Sequence, residues 1–379
     1  MNYDLKRIRV QEERERKVRQ NTIIVFLAAL CLIAFIVFLV IYFSSAKSTP
    51  IKTTPGSLEV QNEPEPPASE SSAASNVSAQ ITVSMMGDCT FGMDESFGWD
   101  TSFNAYFEYR GADYFLQNVK SILDADDLSI VNFEGTLTDS TQRQEKLFAF
   151  KGAPAFASIL SAGSIEAANM ANNHSHDYGD QSYEDTLGHL KNEKITTFGY
   201  DETAIMEIKG VKVGLVGIYE MSDHLGRSQQ LRDNIDKVKS EGAQLIIVSF
   251  HWGNEKETVP DSNQVTLGHM AIDYGADLVV GHHPHVLQGI EKYQGKYIAY
   301  SLGNFCFGGN TAPDDMDTII FQQTFAIEDG KVLTDDNTNI IPCSISSEYG
   351  YNNYQPTPAA GDEARRIMDK LNKRSDLLP

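Results

Sequence analysis

Five apolar runs of this chain end in side chains that can bind a metal ion or carry a proton. Each run has the length and the composition of a buried strand, and stretches with helical spacing lie between several of them. The residues at these ends are Asp88, Glu134, the Asn173–His174 pair, His251 and the His283–His285 pair. Because the carboxyl ends of strands in an α/β sheet form the crevice where ligands bind, the pattern predicts a layered α/β fold with one shared site.

The last of these strand ends holds three of the nine histidines of the chain. Residues two apart in an extended chain project to the same side, so His283 and His285 are predicted to converge while His282 faces away. A lone histidine is usually a hydrogen-bonded loop residue. Three histidines directly after a buried strand instead favour a metal site or a catalytic site, because imidazole serves in both.

The chemistry of the five ends favours a transition metal. Carboxylate and amide oxygens mixed with imidazole nitrogens suit Mn, Fe or Zn better than Ca or Mg. A carboxylate that bridges two ions would fit a dinuclear centre, which clamps both oxygens of a phosphoryl displacement. His174 could act as a general acid toward a leaving group. The alternative is a polar hydrogen-bond network that lines a cleft without metal.

Charge and missing motifs exclude several other functions. The formal net charge is −21, whereas binding to nucleic acid requires a basic face. The sequence contains no Gly-x-Ser-x-Gly elbow and no Gly-rich phosphate loop, which argues against a serine hydrolase and a nucleotide-binding enzyme.

The N-terminal part of the chain is predicted to be a membrane anchor. Residues 1–21 form a polar, basic-leaning tail, and residues 22–43 are apolar, uncharged and long enough to span a bilayer as one helix. A basic flank before the span predicts a cytoplasmic N-terminus and an extracellular C-terminal domain at the cell membrane. The alternative is a cleaved signal peptide, for which Ser44–Ala46 could supply the small residues of a cleavage site.

The rest of the chain divides into three predicted segments. Residues 44–79 are rich in Ser, Pro, Thr, Ala and Glu without apolar periodicity, so they are predicted to form a disordered stalk. Residues 80–345 are predicted to form the globular domain, and residues 346–379 a C-terminal extension with a helix.

At its reactive strand ends the sequence resembles the CapA family, also called PgsA. These are capsule synthesis proteins of poly-γ-glutamate biosynthesis, with a fold similar to calcineurin-like metallophosphatases. The resemblance covers about residues 81–307. Its stretches, which occur in the order of the family, are Gly87–Asp88, Asn132–Glu134, Ala171–His174 with Asp177–Gly179, His251–Glu255, Gly281–Val286 and Tyr300–Phe305.

The resemblance implies a four-layer α/β sandwich of two mixed β-sheets, preceded here by one transmembrane helix. It implies one or two divalent ions, with Glu134 bridging and His174 near the leaving group. The implied metal ligands are Asp88, Glu134, Asn173, His251, His283 and His285. The residues expected to support them are His176, Asp177, His282 and Asn304.

One position departs from the wider metallophosphatase superfamily. That superfamily usually has Asp-x-His at the first strand, whereas this chain has Thr90 two residues after Asp88. The CapA-like family generally lacks this histidine too. The departure therefore weakens the first metal position and leaves the resemblance to the family intact.

Two functions follow from this combination. The first is a membrane-anchored, extracytoplasmic, metal-dependent hydrolase of capsule synthesis or export that acts on a phosphoester or on a bond of the polymer. The second is a non-catalytic accessory or polymer-binding subunit of a capsule synthesis or export complex. Capsule synthase or export subunits and an anionic polymer or phosphoester are the expected partners. The acidic chain would repel polyglutamate except where a metal ion reverses the local field.

Overall fold

A computed structural model of the protein describes residues 79–333 and 337–378. The predicted tail, the predicted membrane span and nearly all of the predicted stalk lie outside these ranges. No helix within the described ranges is long and apolar enough to cross a membrane.

The described residues contain two large sheets and one short strand pair. The strands are, in chain order, β1 (Ala79–Thr90), β2 (Leu128–Glu134), β3 (Thr136–Leu137), β4 (Lys151–Gly152), β5 (Ala167–Asn169), β6 (Thr196–Phe198), β7 (Ala204–Ile208), β8 (Val211–Tyr219), β9 (Leu245–His251), β10 (Leu278–His282), β11 (Ile290–Tyr293), β12 (Lys296–Ala299), β13 (Asn304–Phe307), β14 (Asp317–Glu328), β15 (Lys331–Val332), β16 (Thr338–Ser344) and β17 (Thr357–Pro358).

Helices occupy most of the connections between the strands. The α-helices are α1 (Phe103–Arg110), α2 (Asp113–Leu116), α3 (Lys120–Leu123), α4 (Ser158–Ala162), α5 (Asp180–Asn192), α6 (Ser228–Ser240), α7 (Ser262–Tyr274) and α8 (Gly361–Ser375). Short 3₁₀ helices span Pro154–Ala157 and His224–Arg227.

Both large sheets are mixed. The nine-stranded sheet has the order β17-β16-β14-β1-β2-β5-β6, with β13 beside β1 and β15 beside β14. In this sheet β1 runs parallel to β2 and antiparallel to β14. The six-stranded sheet has the order β11-β12-β10-β9-β8-β7, in which β9 and β10 are parallel and β7 and β8 antiparallel.

Alternation along the strands divides the core into layers. Ile130 and Ile247 belong to one buried cluster between the two sheets, while their neighbours Val131 and Val248 belong to two different outer clusters. Successive residues of a strand point to opposite faces, so each central strand serves two cores. Helices α1–α5 cover the large sheet and α6 and α7 cover the smaller one, which gives the layer order helices, sheet, sheet, helices. The predicted mixed α/β fold with several sheets is confirmed.

The C-terminal residues pack on this sandwich. Strand β17 pairs with β16, and α8 buries Ile367 and Leu371 in the cluster between the sheets. Both guanidinium nitrogens of Arg366 on α8 donate to the carboxylate of Asp317 at 2.6 Å. The helix is therefore fixed by apolar and by charged contacts.

The register between paired strands determines which of the candidate site residues lie side by side. Asp88 of β1 is in register with Asn132 of β2 on one side and with Asn304 of β13 on the other. In the smaller sheet, His251 of β9 is in register with His282 of β10. The carboxyl-terminal parts of β1, β2, β9 and β10 therefore supply neighbouring side chains, as expected for an α/β crevice, and Asn304 joins them from the first residue of β13.

Candidate metal centre

Two buried carboxylates form the centre of the site. Asn132 Nδ2 donates to Asp88 Oδ1 at 2.9 Å, and Thr90 Oγ1 donates to Glu134 Oε2 at 2.6 Å. Burial raises the pKa of Glu134, and the charge of Asp88 raises it further. Burial also disfavours the charge on Asp88, but the hydrogen bond and the charge of His285 hold the pKa of Asp88 below its ordinary value. A cation between the two carboxylates would relieve their mutual repulsion.

Two neutral imidazoles lie beside the carboxylates. His251 Nε2 is 2.8 Å from Asn173 Oδ1 and 3.5 Å from Glu134 Oε1, and the ring centroids of His251 and His283 are 4.8 Å apart. Burial lowers the pKa of His251 well below its ordinary value and that of His283 to about 3. Both rings are therefore neutral near pH 7, which is the form that ligates metal ions.

The His283–His285 segment adopts a different backbone from the one predicted. Strand β10 ends at His282, and His283 and His285 have φ angles of 95° and 56°, in the left-handed region. The extended conformation predicted for this pair is wrong, because two left-handed residues turn the chain sharply. The rings nevertheless approach each other, with centroids 5.7 Å apart.

His285 is the cationic member of the group. Its Nδ1 is 3.1 Å from Asp88 Oδ2 and 2.9 Å from Asn304 Oδ1. Burial disfavours its charge, yet the charge of Glu134 and the hydrogen bond to Asp88 raise the pKa of His285 to about 9. A metal ion would have to displace this proton in order to bind the ring.

Several buried polar atoms of the cluster lack hydrogen-bond partners. Among the described residues these include Glu134 Oε1, His283 Nδ1 and both ring nitrogens of His282. Because an unpaired buried polar atom is costly, such atoms at one place point to a ligand. Two trios, Asp88–Glu134–His251 and Glu255–His283–His285, each offer ligand atoms that lie within 4.8 Å of one another. The residues therefore fit a divalent cation.

A second chemical group lies at the turn after β5. His174 Nδ1 is 2.7 Å from Asp177 Oδ2, and Lys146 Nζ donates to Asp177 Oδ1 at 2.6 Å. The backbone N–H of Phe150 also donates to Asp177, at 2.6 Å. Asp177 thus engages Nδ1 of the imidazole and leaves Nε2 as the nitrogen available for proton transfer, and His174 lines the cavity described below.

The structure brings together most of the residues predicted to support the site. Asp177 contacts His174, Asn304 contacts His285, and His282 Nδ1 is 3.5 Å from Asp88 Oδ1. His176 differs from the others.

The ring of His176 stacks on Tyr183 with centroids 4.6 Å apart, and its Nδ1 pairs with Asp180 at 3.1 Å. His176 therefore interacts with side chains at the surface of α5. The expectation that His176 supports the metal ligands is not met.

Sequence reasoning missed three contributors. Lys146 lies in an irregular segment that carries no motif, and Asn132 was noted only as part of a matching stretch. Glu255 lies in another such stretch, but its spacing from His251 did not indicate that it would face His283 and His285. The signal that could have identified it is an acidic residue in the loop directly after a strand that ends in histidine.

The cluster forms the floor of a cavity of about 500 Å³. Polar residues of the floor include Glu134, His174, Glu255 and His285. Aromatic side chains line part of the walls, among them Phe97, Phe148, Phe150 and Phe307. Such a mainly apolar pocket with a few convergent polar groups is typical of a small-molecule site.

The chain is similar to proteins of capsule synthesis. The family model described as "Bacterial capsule synthesis protein PGA_cap" matches residues 82–309, more than half of the chain. The PGA biosynthesis protein CapA of Bacillus subtilis (strain 168) is 32% identical over 224 residues, which are 53% of this chain and 58% of that protein. The capsule biosynthesis protein CapA of Bacillus anthracis is 28% identical over 254 residues, 60% of each chain.

A more distant relative has a different description. The "Probable polyglutamine synthesis accessory protein" of Mycobacterium tuberculosis (strain CDC 1551 / Oshkosh) is 29% identical over 210 residues, 48% of this chain and 55% of that protein. The chain thus spans less than two thirds of the length of each of these relatives.

Proposed function

The chain belongs to the PGA_cap family of bacterial capsule synthesis proteins, and from this premise we propose that it is a metal-dependent hydrolase of capsule synthesis or export. The reaction is hydrolysis of a phosphoester or of a bond in the capsule polymer. The observation that carries the proposal is the buried cluster of Asp88, Glu134 and His251, in which Glu134 Oε1 has no hydrogen-bond partner among the described residues. The cluster lies beside a cavity that is also lined by His174, the partner of Asp177.

The resident cofactor of this function is one or two divalent ions, Mn, Fe or Zn. Asp88, Glu134, Asn173 and His251 would hold one ion, and the His283–His285 segment would complete the centre. When bound, a divalent ion supplies a Lewis acid that polarises a phosphoryl or carbonyl oxygen and lowers the pKa of water. The layer order of helices, sheet, sheet and helices supports a metallophosphatase-like fold.

Side chains of the protein perform the remaining tasks of the proposed reaction. His174 protonates the leaving group from Nε2, because its Nδ1 is held by Asp177. Lys146 donates to the same carboxylate and helps to fix its position. Asn132 holds Asp88 and is 3.1 Å from His251 Nδ1, so it orients one residue of each sheet. The aromatic walls would pack against apolar parts of the substrate.

The proposal includes an extracytoplasmic location with a single membrane anchor. The apolar, uncharged residues 22–43 and the basic residues before them support it. Protease treatment of intact cells should remove the domain that follows residue 80 and leave the first 21 residues protected. Protection of the domain in intact cells and cleavage only after lysis would contradict this location.

A non-catalytic accessory role is the second candidate. Two observations favour it. Thr90 stands where the superfamily has a histidine, and its hydroxyl donates to Glu134, which weakens one metal position. In addition, one relative is described as an accessory protein. In this role the same cavity would bind the end of a polymer chain for a synthase or export subunit.

Metal analysis combined with turnover separates the two candidates. The purified protein should contain stoichiometric Mn, Fe or Zn and should hydrolyse a generic phosphodiester, and His251→Ala should abolish both properties. His176→Ala is the matched control, since it removes a histidine from the turn after β5 that does not contact the cluster. Stoichiometric metal without turnover would favour the accessory role, and protein without metal would exclude the hydrolase.

A further inference from the structure

We propose that Glu255, together with His283 and His285, forms a second divalent-cation site next to the Asp88–Glu134–His251 site. This inference rests on the metal-dependent function proposed above and adds a ligand to it. Ligand atoms of the three residues lie within 4.8 Å of one another, as expected for groups that can close around one ion.

The backbone around Glu255 is fixed against the histidine segment. The N–H of Lys256 donates to the carbonyl of Pro284 at 2.8 Å, which ties the residue after Glu255 to the residue between the two histidines. Gln288 Nε2 donates to the carbonyl of Glu257 at 3.0 Å and ties the loop a second time. Glu255 is therefore held beside the histidines by its neighbours on the chain, although its side chain is exposed.

Gly253 sets the direction of this loop. It has a φ of 76°, and a Cβ at this position would be 2.6 Å from Oε1 of Gln264 on α7. Only glycine allows the chain to turn here immediately after β9. The turn brings an acidic residue of the β9 loop to the end of β10.

An independent observation indicates that the trio lacks a partner. His283 is 2% exposed, and its Nδ1 has no hydrogen-bond partner among the described residues. A buried ring nitrogen without a partner costs free energy unless a ligand occupies its lone pair. The other two members lie nearer the cavity, so a cation could reach this nitrogen from the cavity side.

The ligand set defines the class of ion. Two imidazoles and one carboxylate suit Zn, Mn or Fe. Three protein ligands leave a coordination position open, which is the arrangement of catalytic rather than structural sites. Glu255 would also add a carboxylate ligand to a centre in which Thr90 stands where the superfamily has a histidine.

Titration of metal-free, full-length protein with Zn²⁺ or Mn²⁺ tests the proposal. Bound ions are counted by mass spectrometry after dialysis, and affinities are measured by competition with a chromophoric chelator. The wild type should bind two ions. Glu255→Gln should bind one ion, or should bind the second at least about tenfold more weakly, because loss of a ligand should cost no less than loss of a residue that only orients ligands, typically about 10–100-fold.

Glu257→Gln is the matched control. It makes the same change of charge on the same exposed loop, so it should retain both ions with wild-type affinities. Because Glu255 is exposed, the metal-free Glu255→Gln protein should unfold at the same temperature as the metal-free wild type. Equal stoichiometry and affinity in Glu255→Gln and wild type, or one ion in the wild type, would overturn the second site.

These results distinguish the second site from the proposed hydrolase. Protein that binds metal and turns over substrate, but in which Glu255→Gln behaves like Glu257→Gln, would refute the second site alone. Loss of the second ion in Glu255→Gln without any turnover by the wild type would support the site and refute the hydrolase. A wild type without metal would refute both.

Discussion

Replacement of Asp177 by asparagine tests whether this carboxylate organises the His174–Lys146 group that is proposed to transfer a proton. The Asp177 carboxylate is fully buried and accepts three hydrogen bonds, from Lys146 Nζ, from His174 Nδ1 and from the N–H of Phe150, at 2.6, 2.7 and 2.6 Å. Asparagine keeps the size of the side chain and one acceptor oxygen. The substitution therefore removes the charge and one acceptor rather than the packing.

The magnitude follows from which contacts survive. Phe150 can keep its bond to the amide oxygen, while Lys146 and His174 lose a charged acceptor, and hydrogen bonds to charged groups contribute about 1.5–3 kcal/mol each. The Lys146 side chain is 29% exposed, so solvent screens its share toward about 1 kcal/mol or less. Asp177→Asn should lower the free energy of unfolding by about 2–4 kcal/mol.

Urea unfolding of the full-length protein, followed by tryptophan fluorescence, measures this change. Of the two tryptophans, Trp252 is fully buried and stacks on Phe250 with centroids 4.2 Å apart, so its emission should report the loss of the core. Asp180→Asn is the control, because Asp180 is 99% exposed and should change the free energy of unfolding by less than about 0.5 kcal/mol. If Asp177→Asn matched this control, the carboxylate would not organise the group, and the role assigned to His174 would lose its support.

Three further predictions concern pH, backbone packing and metal. Burial opposes the charge of Asp94, but hydrogen bonds from Ser96 and the N–H of Ala149 lower its pKa to about 2, so this stabilisation is complete above about pH 4 and is lost as the pH falls through 2. Asp94→Asn should therefore cost stability in urea at pH 6 and little at pH 2. Gly281→Ala should prevent folding or should destabilise the protein by several kcal/mol, since the new Cβ would lie 2.1 Å from a carbonyl oxygen. The control is Gly188→Ala, in open space within α5, which should stabilise the protein by up to about 1 kcal/mol in the same assay. Removal of metal by a chelator should lower the temperature of unfolding, and saturating Zn²⁺ or Mn²⁺ should restore it, since an ion that binds only the folded state stabilises it; an unchanged temperature would contradict a resident ion.

The sequence predicts the position of a residue well where that position depends on the alternation of side chains along a strand or on where the strand ends. Met85 and Met86 face different cores, and this follows from the two-residue period of a buried strand. The convergence of Asp88 with Asn304 follows from the parallel pairing of their strands. The pairing order itself was not predicted, because nothing local in β13 indicates that it lies beside β1.

The backbone geometry of the loops could not be predicted from the sequence, for physical reasons. His283 is a non-glycine residue with a left-handed φ, which is uncommon and is imposed by tertiary contacts rather than by local preference. Lys146 reaches Asp177 from a segment without regular structure, where neither periodicity nor turn chemistry fixes a direction. The position of Glu255 depends on the hydrogen bond between Lys256 and Pro284, which joins two loops that are distant in sequence.

Asn132 connects the two sheets of this protein at the candidate site. Asn132 donates to Asp88 on the large sheet and lies 3.1 Å from Nδ1 of His251 on the smaller one, and Asn169 Nδ2 donates to Asn132 Oδ1 at 3.0 Å. The carboxylates and the imidazoles therefore keep their spacing only while the sheets keep theirs. Because close-packed cores transmit strain, a change of volume between the sheets, for example at Ile247, should move the ligands as well as lower stability. Under the proposed metal-dependent function, the affinity for metal would therefore report how the sheets pack, even for substitutions that never touch the site.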